Sequence, residues 1–381
     1  MNAGNLYGGI EVLLSTIATW QHLCPEMESS FAMCFDGKFS DQIRTLGMPI
    51  WIIGRVRARE PWTIWKARRR FRRLLDENAF DAIICHGAWV HAIFGPVARS
   101  LGIPLVFWLH DPPSTRLGWL ERWAHRLRPD YVICNSNYTL NGSRHFYPLV
   151  PRKVIYCPVA STQSRVRLSP ARNAIRAELN TSNDAIVILQ VSRLDPHKGH
   201  REHLESLAQL RELPDWVCWQ VAGPQRPHEY QYLEELKTLA KELGIQDRVL
   251  FWSWQADIAK FFKAADIYCQ PNVGPEPFGI TFVEALYDGL PVITTGMAGP
   301  LEIIDSSCGL LVPQNNPHAL TEALRSLIQS RILREILSSG GPVRAEAICS
   351  PSAQLRLLCE TLREMTSAIS DKPGLRRRLF A

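Results

Sequence analysis

Arg193 and Lys198 lie five residues apart in VILQVSRLDPHKGH, residues 187–200, between an apolar run ending at Ser192 and a helical stretch. Two cations on a loop beside a helix N-terminus suit a dianionic phosphate group. The second chemical stretch is GPEPFGITFVEALYDGLPVITT, residues 274–295. Glu276 sits on a proline-bounded loop, and Gly279 lets the backbone pass close to a ligand as a helix begins. Glu284 follows one to two turns in, Gly289 ends the helix, and PVITT is the next strand. Spacing alone carries little. With 22 Glu in 381 residues, chance supplies about one pair eight apart, and Glu234 and Glu242 form another in an ordinary charged helix. The setting carries more, because carboxylates beside a strand end and a helix start suit hydrogen bonding to sugar hydroxyls. His110 closes the run LVFWLH and is a third candidate. The fourth is the opening MNAGNLYGGIEVLL, where Gly8-Gly9 reads as a glycine loop that opens a helix over 10–23. Such loops normally follow a strand, yet only seven residues and no apolar run precede these glycines.

These residues need strands to hold them. Apolar runs alternate with helical stretches of about ten to fifteen residues along nearly the whole chain. FAMCF, IWII, AIICH, LVFWLH, YVICN and VIYCP mark the first half. AIVILQVS, VCWQVAG, RVLFWS, DIYCQP, PVITT and GLLV mark the second. Runs apolar along their full length suit parallel strands covered on both faces, so both halves read as doubly wound α/β sheets. The boundary is expected in residues 158–173, rich in Pro and Ser. Domains are therefore expected at 1–160 and 170–350, facing across a cleft, since ligands bind such sheets at the carboxyl ends of their strands. A last helix over 351–368 is expected to pack back on the first domain. The basic tail DKPGLRRRLFA follows it.

Composition narrows the classes. A chain of 381 residues suggests two domains, and 46% hydrophobic with 21% charged residues describes a globular protein. No apolar run approaches the roughly 18 residues that span a bilayer, and the amino-terminal residues show no basic-then-apolar leader. The ten cysteines are scattered without a C-x-x-C pair, which favours reduced, buried thiols and a cytoplasmic protein. No two of the 15 aspartates are two apart, and no His/Asp/Glu cluster has ligand spacing, so no metal is expected. Charge is uneven. Residues 1–170 hold 21 Lys+Arg against 12 Asp+Glu, a balance of +9, and the rest 22 against 25, or −3. Much of the excess runs from Arg55 to Arg73, interleaved with Trp62, Ile64, Trp65, Phe71 and Leu74. That pattern is a solvated helix face or a segment that docks on anionic lipid headgroups. No nucleic-acid motif accompanies it.

Together EPFGITFVE, SRLDPHKG and the opening GGIE resemble the retaining glycosyltransferases of family 4, which have the GT-B fold of two Rossmann-like domains. AGPLEIIDSSCGLLVP resembles the family's following loop, with Ala298 in place of a glycine and Pro and Leu in swapped order. The resemblance covers nearly the full chain. It implies transfer of a sugar from a nucleotide-diphospho-sugar, UDP- or GDP-linked, to a glycan, lipid-linked or small-molecule acceptor with retention of configuration. No cofactor is implied. Arg193 and Lys198 would neutralise the diphosphate, and Glu276 would hold donor-sugar hydroxyls. Backbone N–H groups around Phe278, Gly279 and Ile280 would approach sugar and phosphate. Glu284 would bind the ribose, and His110 would contact the donor sugar near the reaction centre. Gly8-Gly9 would approach the donor phosphate. In the resembled family a strand of about six residues precedes that glycine loop, so either the start lies upstream of Met1, the favoured expectation, or the first domain lacks that strand. Metal-independent chemistry is expected, with protein cations taking the charge role of Mg²⁺. The Arg55–Arg73 segment adds an expected site at the cytoplasmic membrane face. A nucleotide-sugar epimerase of the same fold, which needs no acceptor, and a non-catalytic relative are the alternatives.

Overall fold

Among the described residues of a computed structural model of the chain, twelve short parallel strands form at or beside the apolar runs. It covers residues 1–4, 7–57, 59–112, 118–161, 170–213, 215–255 and 257–370. The expected linker lies partly outside these residues, and the basic tail wholly so. The strands are β1 (Phe31–Met33), β2 (Ile50–Ile52), β3 (Ile83–His86), β4 (Leu105–Leu109), β5 (Tyr131–Cys134) and β6 (Arg152–Val154). β7 (Ile186–Val191), β8 (Trp216–Val221), β9 (Val249–Trp252), β10 (Ile267–Gln270), β11 (Val292–Thr295) and β12 (Gly309–Val312) follow. Five helices matter for the site: α1 (Gly9–Trp20), α2 (Pro61–Glu77), α3 (His200–Ala208), α4 (Ile280–Tyr287) and α5 (Pro351–Ser370). The chain divides into two units, Met1–Val159 with Cys349–Ala381, and Ala160–Ile348.

In the second unit the strand order is β9-β8-β7-β10-β11-β12, every pair parallel. Its strands are largely apolar, and Trp216, Trp219, Phe261 and Phe282 are wholly buried. A buried Arg176 is fully engaged. It donates to Asp266 Oδ2 at 2.6 Å and to the carbonyls of Ala264 and Ala185 at 3.0 and 2.8 Å.

In the first unit β3-β4-β5-β6 form one parallel sheet and β1-β2 a separate parallel pair. β6 begins earlier than the apolar run VIYCP suggests. Arg152 and Lys153 take the ladder positions beside Val132 and Ile133 at a sheet edge, and Arg152 donates to Ser143 Oγ at 2.9 Å. α1 starts at Gly9, and its first turn is closed by Glu11, which accepts from Gly8 N–H at 3.0 Å and from Asn2 Nδ2 at 2.8 Å. The helix ends at Trp20, with a 3₁₀ turn over Gln21–Leu23 completing the expected span. α5 packs against α1.

Candidate functional site

In the second unit β7 and β10 are neighbours, and the sheet grows outward from them in opposite directions. Their carboxyl-end loops, residues 192–199 and 271–279, therefore meet at the topological switch point, where open α/β sheets hold ligands. Gly199 makes the meeting possible. Its φ is +72°, and a Cβ there would lie 1.8 Å from the Pro271 carbonyl oxygen. Val273 N–H donates to the His197 carbonyl at 3.0 Å, stitching one loop to the other. Lys198 Nζ consequently forms an ion pair with Glu276 Oε2, both side chains mostly buried. Arg193 differs. Its side chain is 59% exposed and lies 4.0 Å from Asp195, so its charge remains available to a ligand.

The cation loop rests on a buried polar network that sequence inspection did not single out. Gln190 Nε2 donates to the Lys198 carbonyl at 2.9 Å, and its oxygen accepts from His203 Nδ1 at 2.8 Å. His200 links Gln220 Oε1 at 2.9 Å to Ser192 Oγ at 3.1 Å. Burial holds both histidines below the ordinary range, His203 at about 3, so both are neutral. The signal was present as polar residues inside apolar strands, Gln190 in VILQV and Gln220 in VCWQV.

Across the switch point the second loop is pinned from outside. Gly299 N–H donates to the Glu276 carbonyl at 2.9 Å, and a Cβ on Gly299 would lie 2.6 Å from Phe278 Cα. Phe278 itself is a core ring, so what it can offer a ligand is backbone. Gly279 has φ +100° and meets the Phe282 ring, and Ile280 then opens α4. Ala298, which stands where the family pattern has glycine, adopts φ +53°, the left-handed region that glycine enters without cost. Glu284 lies farther along α4 and keeps some exposed surface. Burial raises its pKa to about 7, and the nearby Asp288 adds to the rise.

His110 follows β4 in the first unit. Its Nε2 lies 3.0 Å from His86 Nδ1, and the two rings stack with Trp108. Burial lowers His110 to about 3 and His86 well below its ordinary value, so the pair shares a hydrogen bond between neutral rings. Asn135 Nδ2 donates to the His110 carbonyl at 3.0 Å. His86 was missed in the sequence, although AIICH and LVFWLH are adjacent strands each closed by a histidine. Gly8 precedes α1 with its N–H already given to Glu11, and Gly9 is exposed. Among the described residues one group of possible metal ligands converges, Cys24, Glu26 and Cys359, with ligand atoms within 4.8 Å of one another. It joins the turn after α1 to α5, and 333 residues of separation hid it. Glu26 also pairs with Arg363 at 3.1 Å.

The basic segment forms α2. Ala67, Phe71, Leu74 and Leu75 face the core, while Trp62 and Trp65 are 59% and 60% exposed. Not all its cations face solvent: Arg68 donates to the Ile93 carbonyl at 2.6 Å and Arg70 to that of Ile53 at 3.2 Å. The Arg69 guanidinium lies 5.6 Å from the Trp65 ring centre. No helix among the described residues is long and apolar enough to cross a membrane.

Two family models match the chain: Glycosyl transferases group 1 over residues 171–344 and Glycosyltransferase Family 4 over residues 30–163. A D-inositol 3-phosphate glycosyltransferase of Corynebacterium glutamicum is 29% identical over 66% of this chain and 65% of its own length. The lipopolysaccharide core biosynthesis glycosyltransferase LpsD of Rhizobium meliloti is 33% identical over 46% of this chain and 48% of its own. The chain thus spans about half to two thirds of the length of these relatives. The crystal structure of Anabaena Alr3699/HepE in complex with UDP and glucose superposes with a TM-score of 0.82 at 22% identity, covering 95% of this chain and 97% of that one.

Proposed function

For a chain that belongs to the family 4 glycosyltransferases of group 1 and has the GT-B fold, we propose transfer of a sugar from a nucleotide-diphospho-sugar to a hydroxyl acceptor with retention of configuration. The observation that carries this reading is the Lys198–Glu276 pair at the switch point of the second sheet. A nucleoside diphosphate competes with Glu276 for the Lys198 ammonium, and the exposed Arg193 adds a second cation. As the bond from the anomeric carbon to the leaving phosphate oxygen breaks, both charges stabilise the diphosphate. Glu276, released, accepts hydrogen bonds from sugar hydroxyls. Glu284 accepts from the ribose, and the N–H groups of Phe278, Gly279 and Ile280 face sugar and phosphate. The acceptor hydroxyl attacks on the face that the phosphate leaves, and its proton passes to that phosphate. Neutral His110, held by His86, serves the donor sugar as a hydrogen-bonding group, and Gly8-Gly9 leave room for the phosphate beside α1. On this reading the Ala160–Ile348 unit binds the donor and the other unit the acceptor. Lysine and arginine supply the charge, so no metal or cofactor is required.

The donor is a UDP- or GDP-sugar, a reading supported by the UDP and glucose named with the Anabaena structure. The acceptor is a glycan or lipid-linked sugar at the cytoplasmic face of a membrane, supported by the exposed Trp62 and Trp65 among the cations of α2. Incubation with UDP-, GDP- and ADP-sugars in excess chelator, with and without acceptor, tests the reaction. Nucleotide release that requires acceptor is expected. Sugar interconversion without acceptor means an epimerase, and binding without turnover means a non-catalytic relative. Activity lost in chelator and restored by Mg²⁺ overturns metal independence, and an inverted product linkage by NMR overturns retention. Flotation with anionic vesicles checks the surface, and binding that salt leaves unchanged or absent sinks it.

A further inference from the structure

The turn after α1 and the middle of α5 bring three ligating side chains together within the first unit. Proline shapes the turn. Pro25 takes its second position, and Met27 N–H closes it on the Cys24 carbonyl at 3.0 Å. Ser29 N–H donates to Gln21 Oε1 at 2.9 Å and ties the following residues back to the 3₁₀ turn. Cys24 is left 4% exposed, while Glu26, two residues on, stays at the surface. On α5, Leu355, Leu358 and Met365 are buried at helical spacing, and Cys359 joins that face at 7% exposure. Arg363 follows one turn later and pairs with Glu26 Oε2 at 3.1 Å.

The separations suit a single ion. Ligand atoms of Cys24, Glu26 and Cys359 all lie within 4.8 Å of one another, and Cys359 Sγ is 3.5 Å from Glu26 Oε2. A tetrahedral Zn²⁺ has bonds of about 2.3 Å to sulfur and about 2.0 Å to oxygen. It therefore holds a sulfur and an oxygen about 3.5 Å apart, and two sulfurs about 3.8 Å apart. Charge suits it as well. Two thiolates and a carboxylate carry three negative charges, of which Zn²⁺ neutralises two and the Arg363 guanidinium the third. A hard ion such as Mg²⁺ takes oxygen ligands and would leave both sulfurs unused. A disulfide would use the sulfurs and give the carboxylate no part.

We infer that Cys24, Cys359 and Glu26 hold one Zn²⁺ ion, with solvent water on the exposed Glu26 side completing the tetrahedron. On binding, each thiol releases its proton to solvent, and each sulfur gives a lone pair to the ion. The ion clamps the turn after α1 to α5, segments 333 residues apart in the chain. Its place is structural, since the proposed transfer chemistry draws its charge from Arg193 and Lys198.

The test titrates the full chain, reduced with a phosphine and freed of metal by chelator, with Zn²⁺ alone. One equivalent is expected to stay bound through desalting and to raise Tm by about 3 °C or more. Mg²⁺ at the same concentration should leave Tm unchanged. Co²⁺ in place of Zn²⁺ should give an intense thiolate-to-metal absorption band. Cys24→Ser, Cys359→Ser and Glu26→Gln should each weaken binding by at least about tenfold, the least that losing even an outer-shell partner costs. Cys308→Ser, at a buried cysteine of the other unit, should keep the parent's affinity. Should a variant fail to fold, the parent's Zn²⁺ stoichiometry and Co²⁺ band decide alone. No bound equivalent, no rise in Tm, or binding that Cys359→Ser retains overturns the inference. So does a chain that a disulfide reagent stabilises through a Cys24–Cys359 bond while Zn²⁺ does not.

Discussion

The two units share one rhythm of apolar runs and differ in how their sheets close. In the second, six strands form an unbroken ladder, and the loops at its centre bring Lys198 onto Glu276. In the first, three residues join a two-stranded pair to a four-stranded sheet beside an apolar cavity. The rhythm makes strands in both.

The largest effect that sharpens this comparison belongs to the locked side. Lys198→Ala or Glu276→Ala should each lower transfer by about 10²–10³-fold, with the fold retained by circular dichroism. Activity within a few-fold of the parent would remove the switch point from the chemistry. Glycines come next. Gly199→Ala should destabilise by roughly 2 kcal/mol or more, because φ is positive and the Pro271 carbonyl blocks a Cβ. Gly8→Ala should cost under about 1 kcal/mol, since its Cβ would meet only Glu11 at 3.8 Å. Urea unfolding compares the two, and equal losses would break the contrast.

Acid should act on both units, and more on the first. Its His86, His91 and His110 are buried and neutral, as are His200 and His203 in the second. Folded pKa values lie below the unfolded one, so the unfolded chain binds more protons once pH drops below about 6.5. Stability is full above that pH and falls toward the folded values, by roughly 1.4 kcal/mol per histidine per pH unit. Hydrogen exchange at pH 7.5 and 5.5 should show β3 and β4 losing protection before β7. The reverse order would contradict the comparison. The smallest effect concerns Glu284. With its pKa raised to about 7, its ionised form grows between pH 6 and 8. Nucleotide affinity should rise several-fold over that range. In Glu284→Gln the slope should vanish, and a slope that survives assigns it to another group.

Much of this was legible beforehand for a physical reason: a strand covered on both faces is mostly apolar and stands out as a run, with buried Gln190, Gln220 and Gln270 and the polar start of β6 as the exceptions. Motif residues near Gly199, Gly279 and Gly289 were legible because close backbone approach leaves few alternatives to glycine. The His86–His110 pair was not, since the two rings are 24 residues apart and meet only because β3 and β4 pair in register. The inward bonds of Arg68 and Arg70 were equally hidden, because a helical wheel assigns arginine to solvent while the actual carbonyls come from neighbouring elements.

By itself, then, the order of residues determined the α/β class, most of the strands and the glycine turns, all of which depend on local pattern. The tertiary structure alone decided which charges meet, which histidines are neutral, and where a sheet is left divided. Those depend on distance, burial and register between segments remote in the chain, and no local pattern encodes them.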